Sequence, residues 1–159
     1  MSERINYMKQ SPELFKKLVE LAQAAHAGSI EPAINELIAL RASQINGCGF
    51  CVDMHVKQAH LLGERELRLH HVATWRESAL FSPRERASLA WTEFLTRLPD
   101  GGVPDDVYER VRTQLSEQEI VDLTYLVMLI NAWNRANVAF HMPPGAWDKT
   151  FGLDKAKLK

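Results

Sequence analysis

Residues 36–63 read ELIALRASQINGCGFCVDMHVKQAHLLG. On the left of Asn46-Gly47, Leu37, Ile38, Arg41 and Ile45 follow a helical spacing, and on the right Val52, Val56, Ala59 and Leu62 do the same. An Asn-Gly pair between alternating runs would signal a β-hairpin, but both flanks here have the period of a helix. The pair is therefore a helix C-cap that turns the chain. The stretch predicts two helices folded back antiparallel, and with them an all-α chain.

Working outward, the same period recurs. Ser11-Pro12 opens a first helix with Leu14, Leu18 and Leu21 on one face, and residues 29–45 form the helix that enters the central turn. Residues 64–80 predict one or two shorter helices. Ser82-Pro-Arg-Glu85 and Ser116-Glu-Gln-Glu119 are capping boxes, the first with proline at the opening helical position. They start a helix bearing Ala87, Trp91, Phe94 and Leu98, with Trp91 and Phe94 assigned to the core, and a long one through Ile120, Leu123, Val127 and Ile130 to about Val138. Asp100-Gly-Gly is a loop, and residues 104–115 are a short helix. Met142-Pro-Pro-Gly145 breaks any helix, ahead of Trp147, Phe151 and a lysine-rich end. No segment has the period-two pattern of a strand.

The composition bounds the class. The chain has 159 residues, 46% of them hydrophobic and 25% charged, which suits one soluble domain spanning 1–159 with a core of its own. Nineteen basic against 20 acidic side chains leave a net charge of −1, with no basic block interleaved with aromatics, so no nucleic-acid partner is expected. No apolar run approaches the roughly 20 residues of a membrane helix or the length of a signal peptide, so no membrane partner is expected and the expected address is the cytoplasm.

Only two cysteines occur, Cys48 and Cys51, three apart, with His55 four further on. A pair so close closes no long loop, and in a cytoplasmic chain it points to redox, catalytic or metal chemistry. On a helix the three side chains fall within an arc of roughly 60°, so all can reach one point. Cys48 stands at the helix start, where free N–H groups and the positive end of the dipole favour a thiolate. Counting back through the turn, Glu36 lies roughly 13 Å below it on one helix and His55 roughly 10 Å below it on the next. The carboxylate and the imidazole come out nearly level. A carboxylate on one ring nitrogen fixes the tautomer and leaves the other nitrogen to take a thiol proton, which makes a relay from Glu36 to His55 to cysteine. Zinc is the competing use of Cys-x-x-Cys and histidine, but a tetrahedral site needs a fourth ligand, and nothing in the sequence places His70 or His71 there. Asn131, Asn134, Arg135 and Asn137 form a polar cluster on an otherwise apolar helix, suited to holding the site or an oligomer contact.

The spacing Glu36, Cys48, Cys51, His55 resembles the Glu-x11-Cys-x-x-Cys-x-x-x-His signature of the alkylhydroperoxidase AhpD-like family, within the carboxymuconolactone decarboxylase superfamily. The resemblance is strongest over residues 36–63 and extends through FSPRERASLAW and NAWNR, about residues 30–140 in all. It implies an all-α AhpD-like helical bundle assembled as a trimer or hexamer. It also implies a thiol-dependent hydroperoxide reductase that needs no haem, flavin or metal cofactor, regenerated by an external dithiol or thiol. In the family the second cysteine attacks the peroxide, here Cys51, and the first resolves the product, here Cys48. Helix-end physics alone favours Cys48 as the nucleophile; the assignment implied by the resemblance is followed, because Cys51 and His55 are i and i+4 and so directly adjacent. Some members carry a histidine just before the second cysteine; this chain has Phe50. The rival readings are a lactone-ring decarboxylase, which has no use for a dithiol, and a dithiol module that reduces disulfides, senses oxidants or docks a partner.

Overall fold

The computed structural model describes residues 2–158. Among the described residues nine α-helices follow one another: α1 Tyr7–Gln10, α2 Pro12–His26, α3 Pro32–Asn46, α4 Gly49–Leu61, α5 Glu66–His71, α6 Pro83–Arg97, α7 Asp105–Arg112, α8 Glu117–Phe140 and α9 Asp148–Phe151. Two 3-10 segments, Val72–Glu77 and Leu153–Ala156, complete them, and there is no strand among the described residues. The fold class is the expected one. The added pieces are the short ones: α1, whose single turn is capped by the Asn6 side chain on the Lys9 N–H, and the two turns after Pro-Pro-Gly. Segments of four residues are too short to display a period, so the pattern could not announce them.

Helix α3 is the axis of the molecule. It contributes to all three apolar clusters: Ile34 and Ile38 pack with α6, α7 and α8, Leu37 and Leu40 with α4, α5 and the turn after it, and Ala39 and Ala42 with the cysteines. A helix packed on every side has no solvent face on which to place its polar residues. Asn35, Glu36 and Ser43 are consequently buried, and each has to find partners inside the protein.

Both capping boxes form as predicted, with the Ser82 and Ser116 side chains accepting from the N–H groups of Glu85 and Glu119 and each glutamate returning a bond. Trp91 lies in the core, with its indole N–H on the Thr124 hydroxyl, and Phe94 packs partly buried against the same cluster.

On α6, Glu93 is 2% exposed and accepts from Arg41 at 2.6 Å, from the Trp75 indole at 3.0 Å, and from Arg76 and Arg97. Burial alone would raise its pKa; the donors Arg76, Trp75 and Arg41 outweigh burial and hold the carboxyl below its ordinary range. Glu93→Ala leaves the nearly buried Arg41 guanidinium uncompensated, and urea melts at pH 7 should register a loss of about 3 kcal/mol. Because the folded pKa is depressed, this contribution is complete above the unfolded value of about 4.3 and disappears as pH falls through the folded one. The gap between wild type and variant should therefore narrow on acidification below about pH 4.

Candidate functional site

The site is built on the turn between α3 and α4. Gly47 takes the left-handed conformation, φ 66°, and ends α3. The next N–H, of Cys48, closes the cap on the Ser43 carbonyl at 3.0 Å. Cys48 is thereby fixed as the N-cap of α4, where its sulfur accepts from the Cys51 N–H at 3.4 Å. The expected C-cap turn is present, and it puts Cys48 just outside the first helical residue.

Both thiols are free, with sulfurs 2.7 Å apart, and both are sealed, Cys48 at 1% and Cys51 at 0% exposure. A pair so close resists carrying two negative charges at once, so the two thiols ionise at different pH. The Cys48 thiol is drawn down to about 7, first by a hydrogen bond from Cys51, then by the Cys51 N–H, Asn134 and the charge of His55, against the opposing effect of burial. Cys51 is pushed up, first by the bond it makes to Cys48, then by burial and by the Cys48 charge. Of the two, Cys48, at the helix start, is the thiol that ionises first.

Glu36 and His55 meet as the register predicts: the Glu36 carboxylate accepts from His55 Nδ1 at 2.7 Å, with both residues buried. Asn35 Nδ2 donates to the other Glu36 oxygen at 3.2 Å. With Nδ1–H donated to the carboxylate, Nε2 is left as a bare acceptor whenever the ring is neutral. It is buried without a hydrogen-bond partner. The expected contact of carboxylate with imidazole is made; no hydrogen bond joins imidazole to sulfur, although Cys51 and His55 are one helical turn apart.

The polar cluster on α8 lies beneath the turn. Asn46 Nδ2 donates to Asn131 at 3.0 Å and to Asn134 at 2.8 Å, Asn134 donates to the Ser43 hydroxyl at 3.0 Å, and Arg135 donates to Asn131. Asn137 reaches the chemistry itself: its Nδ2 donates to Cys51 Sγ at 3.4 Å, and its Oδ1 accepts from the Tyr7 hydroxyl at 3.1 Å. Burial, then the charge of the two sulfurs, pushes Tyr7 up to about 12, so the phenol stays a donor and fixes which end of the amide faces the sulfur. Sequence reading placed Asn137 in a polar cluster suited to holding the site or an oligomer contact, without a sulfur as its partner. It had no signal at all for Tyr7, which lies on a turn too short to read.

Beside the dithiol opens a cavity of about 400 Å³, with His55 and Asn137 in its wall and Phe50, Met54, Trp133 and Trp147 among its lining. Phe50, where some relatives of the signature carry histidine, packs edge-on against Trp147. The tail that brings Trp147 there is fastened by Lys57, whose ammonium bridges Asp53 and Asp148 at 2.7 Å each, and by the Gly145 N–H on Asp53. Among the described residues no group of three or more His, Cys, Asp or Glu side chains has the arrangement of a metal site. None of the described helices is long and apolar enough to cross a membrane.

The depressed Cys48 value has a direct readout. Thiolate absorbance of the reduced protein should rise with a midpoint near pH 7, because the deprotonated fraction grows as pH passes the lowered pKa. In Cys48→Ser that step should vanish. Persistence of the same step in Cys48→Ser would move the resting thiolate to Cys51.

Residues 12–94 match the family model for carboxymuconolactone decarboxylases. The chain is 40% identical to the uncharacterized protein YdfG of Bacillus subtilis over 139 residues, 87% of this chain and 95% of that one. Its fold superposes with TM-score 0.88 on ATU0492 of Agrobacterium tumefaciens, a protein of unknown function provisionally linked to the antioxidant defence protein AhpD. That pair shares 41% identity and covers 91% and 99% of the two chains. The debrominase Bmp8 shares the fold alone, with TM-score 0.78 at 18% identity over 94% of this chain and 80% of its own.

Proposed function

The chain belongs to the carboxymuconolactone decarboxylase family, with an AhpD-like all-α fold, and on that premise we propose that it is a thiol-dependent hydroperoxide reductase working through Cys48, Cys51, His55 and Glu36. The observation that carries the reading is a joint one: two free thiols 2.7 Å apart, and a carboxylate-bound imidazole with its second nitrogen bare in the wall of the adjoining cavity. A ring decarboxylase would leave the dithiol without a task.

Cys51 is the attacking residue in this proposal. Among the residues lining the cavity, Asn137 is the one whose side chain hydrogen-bonds a sulfur, and that sulfur is Cys51 Sγ. The Cys51 proton passes to His55 Nε2 as the substrate enters, directly or by way of Cys48 across the shared hydrogen bond. The sulfur lone pair forms an S–O bond, the O–O bond breaks, and its electron pair leaves on the alkoxide, which takes a proton from the imidazolium and departs as alcohol. Cys51 is now a sulfenic acid. Cys48 sulfur attacks it, hydroxide leaves with a proton as water, and a disulfide forms. An external dithiol or thiol returns two electrons and two protons. Glu36 holds the imidazole tautomer throughout.

The test is a thiol count on reduced protein before and after one equivalent of organic hydroperoxide, followed by turnover with a dithiol in excess. Loss of both thiols with formation of alcohol supports the reading; two thiols left intact would sink it. The assembly belongs to the same proposal. Val121, Tyr125 and Met128 form an exposed apolar stripe along α8, suited to a helical contact between copies in a trimer or hexamer. Light scattering at micromolar concentration checks it, a monomer being the adverse result.

A further inference from the structure

We propose that the cavity beside the dithiol is a binding site for an uncharged, ring-bearing molecule carrying one hydroxyl-type donor, so that the substrate class is the aromatic hydroperoxides and the bound product is the matching aromatic alcohol. The reaction step rests on the peroxidase reading above; the binding step does not.

Three properties of the cavity select this class. The first is size and shape: about 400 Å³ lies within the range of small-molecule sites and far exceeds what hydrogen peroxide needs. The second is the wall. Tyr7, Phe15, Phe50, Trp133, Trp147 and Phe151 line it, and they meet one another edge-on or stacked, with Phe15 edge-on to both tryptophans and Trp147 stacked on Phe151 at 5.3 Å. Such a wall offers ring faces and edges to a guest ring. Among the described residues no Lys, Arg, Asp or Glu lines it, and of its two histidines His55 is already paired with Glu36 and His26 is exposed at the Ala22 carbonyl, so a carboxylate-bearing substrate would lose its water and meet no uncompensated cation inside.

The third property is the pair of polar atoms left over. His55 Nε2, on a residue 7% exposed, and Gln58 Oε1 are both buried without partners, and both residues line the cavity. Gln58 Oε1 is an acceptor, and so is His55 Nε2 in the tautomer that gives its Nδ1–H to Glu36. An unpartnered acceptor in an apolar wall is costly until a donor arrives, and a hydroperoxide O–O–H or an alcohol O–H supplies one. The ring of the guest then occupies the aromatic part, while the peroxide end lies between His55 Nε2 and the Asn137 amide that touches Cys51 sulfur. When the O–O bond breaks, the alcohol left behind keeps the same ring and regains one O–H, so it fits the same place.

The binding arm uses wild-type reduced protein and tryptophan fluorescence, since Trp133 and Trp147 are two of the chain's four tryptophans. The probes are 2-phenyl-2-propanol, isopropylbenzene, which lacks the hydroxyl, and 4-isopropylbenzoate, which carries a charge. Expected is saturable quenching by the alcohol, about fivefold weaker affinity for the hydrocarbon, and at least about tenfold weaker for the benzoate at neutral pH. Equal affinity for alcohol and hydrocarbon would remove the role of the acceptors, benzoate binding as well as the alcohol would remove the charge argument, and no quenching by any probe would overturn the site. The turnover arm compares cumene hydroperoxide with hydrogen peroxide. Trp133→Ala, with Trp133→Leu as the variant that keeps the volume better filled, should lower the ratio of their kcat/KM values about tenfold. An unchanged ratio in both variants would overturn the assignment. If no peroxide is turned over at all, the peroxidase reading fails and the binding arm still decides the site.

Discussion

Cys51→Ser should abolish the first oxidation of the protein by a hydroperoxide, whereas Cys48→Ser should react once and stop. A serine hydroxyl near its ordinary pKa is no nucleophile toward peroxide oxygen, so removing the attacking sulfur removes the S–O bond-forming step. Removing the resolving sulfur leaves that step and strands its product. Cys51 sulfenic acid in Cys48→Ser should be trapped by a sulfenic-specific reagent, or advance to sulfinic acid under excess peroxide. Intact mass after a peroxide pulse separates these outcomes. The reverse pattern, an adduct on Cys48 in Cys51→Ser and none on Cys51 in Cys48→Ser, would exchange the two roles. An unchanged mass in wild type and both variants would remove the peroxidase reading.

This experiment matters because two physical arguments pull apart at this pair. Cys48 is the thiol that ionises first, favoured by the bond from Cys51 and by the first turn of α4. The cavity wall, however, touches Cys51, through the Asn137 amide that hydrogen-bonds its sulfur. A thiolate at Cys48 that the substrate does not meet is still useful as the base that receives the Cys51 proton, 2.7 Å away. In that account the lowered pKa of Cys48 marks the base and later the resolver. The Cys48→Ser protein, lacking this base, should therefore oxidise more slowly than wild type even though it does oxidise.

How far the sequence carried depends on the range of each signal. The α3–α4 hairpin was legible because Gly47 needs a left-handed backbone and both flanks keep a helical period, and those two facts put Glu36 and His55 at one level. The burial of Glu36 was not legible. Taken alone it looks like a solvated helix residue, and only the packing of α3 by α4, α6 and α8 together removes its water. Asn137 was visible as a polar residue on an apolar helix, but its target is a sulfur 86 positions away in the chain, which no local spacing encodes. Tyr7 and the α9 turn lie on segments of four residues, and their place beside the site follows from aromatic packing between the two ends of the chain. The open link from His55 Nε2 to sulfur also escaped the spacing argument. An i, i+4 relation brings two side chains into the same neighbourhood, but it does not fix where their end atoms point.

That open link makes His55→Ala the more searching test of the relay. The imidazole is the base that accepts a thiol proton and the acid that protonates the leaving alkoxide, so its loss should slow the first oxidation by a factor on the order of 10²–10³. The charge of His55 also helps to hold the Cys48 thiol low. Without it the thiolate form appears at higher pH, and the pH–rate profile should shift upward as well as downward in rate. A purely structural histidine would lower the amount of folded protein without moving that profile. Added imidazole, which fits the space left by the side chain, should restore part of the rate. Glu36→Gln keeps a hydrogen-bond acceptor for Nδ1 but removes the charge that makes the ring a good base, so a smaller loss, roughly tenfold, is expected with a shift in the same direction. Stopped-flow oxidation of reduced protein between pH 6 and 9 measures all three effects. A rate in His55→Ala within twofold of wild type across that range would take the histidine out of the mechanism. The bare Nε2 would then be left with one role, as the acceptor that orients the bound hydroperoxide.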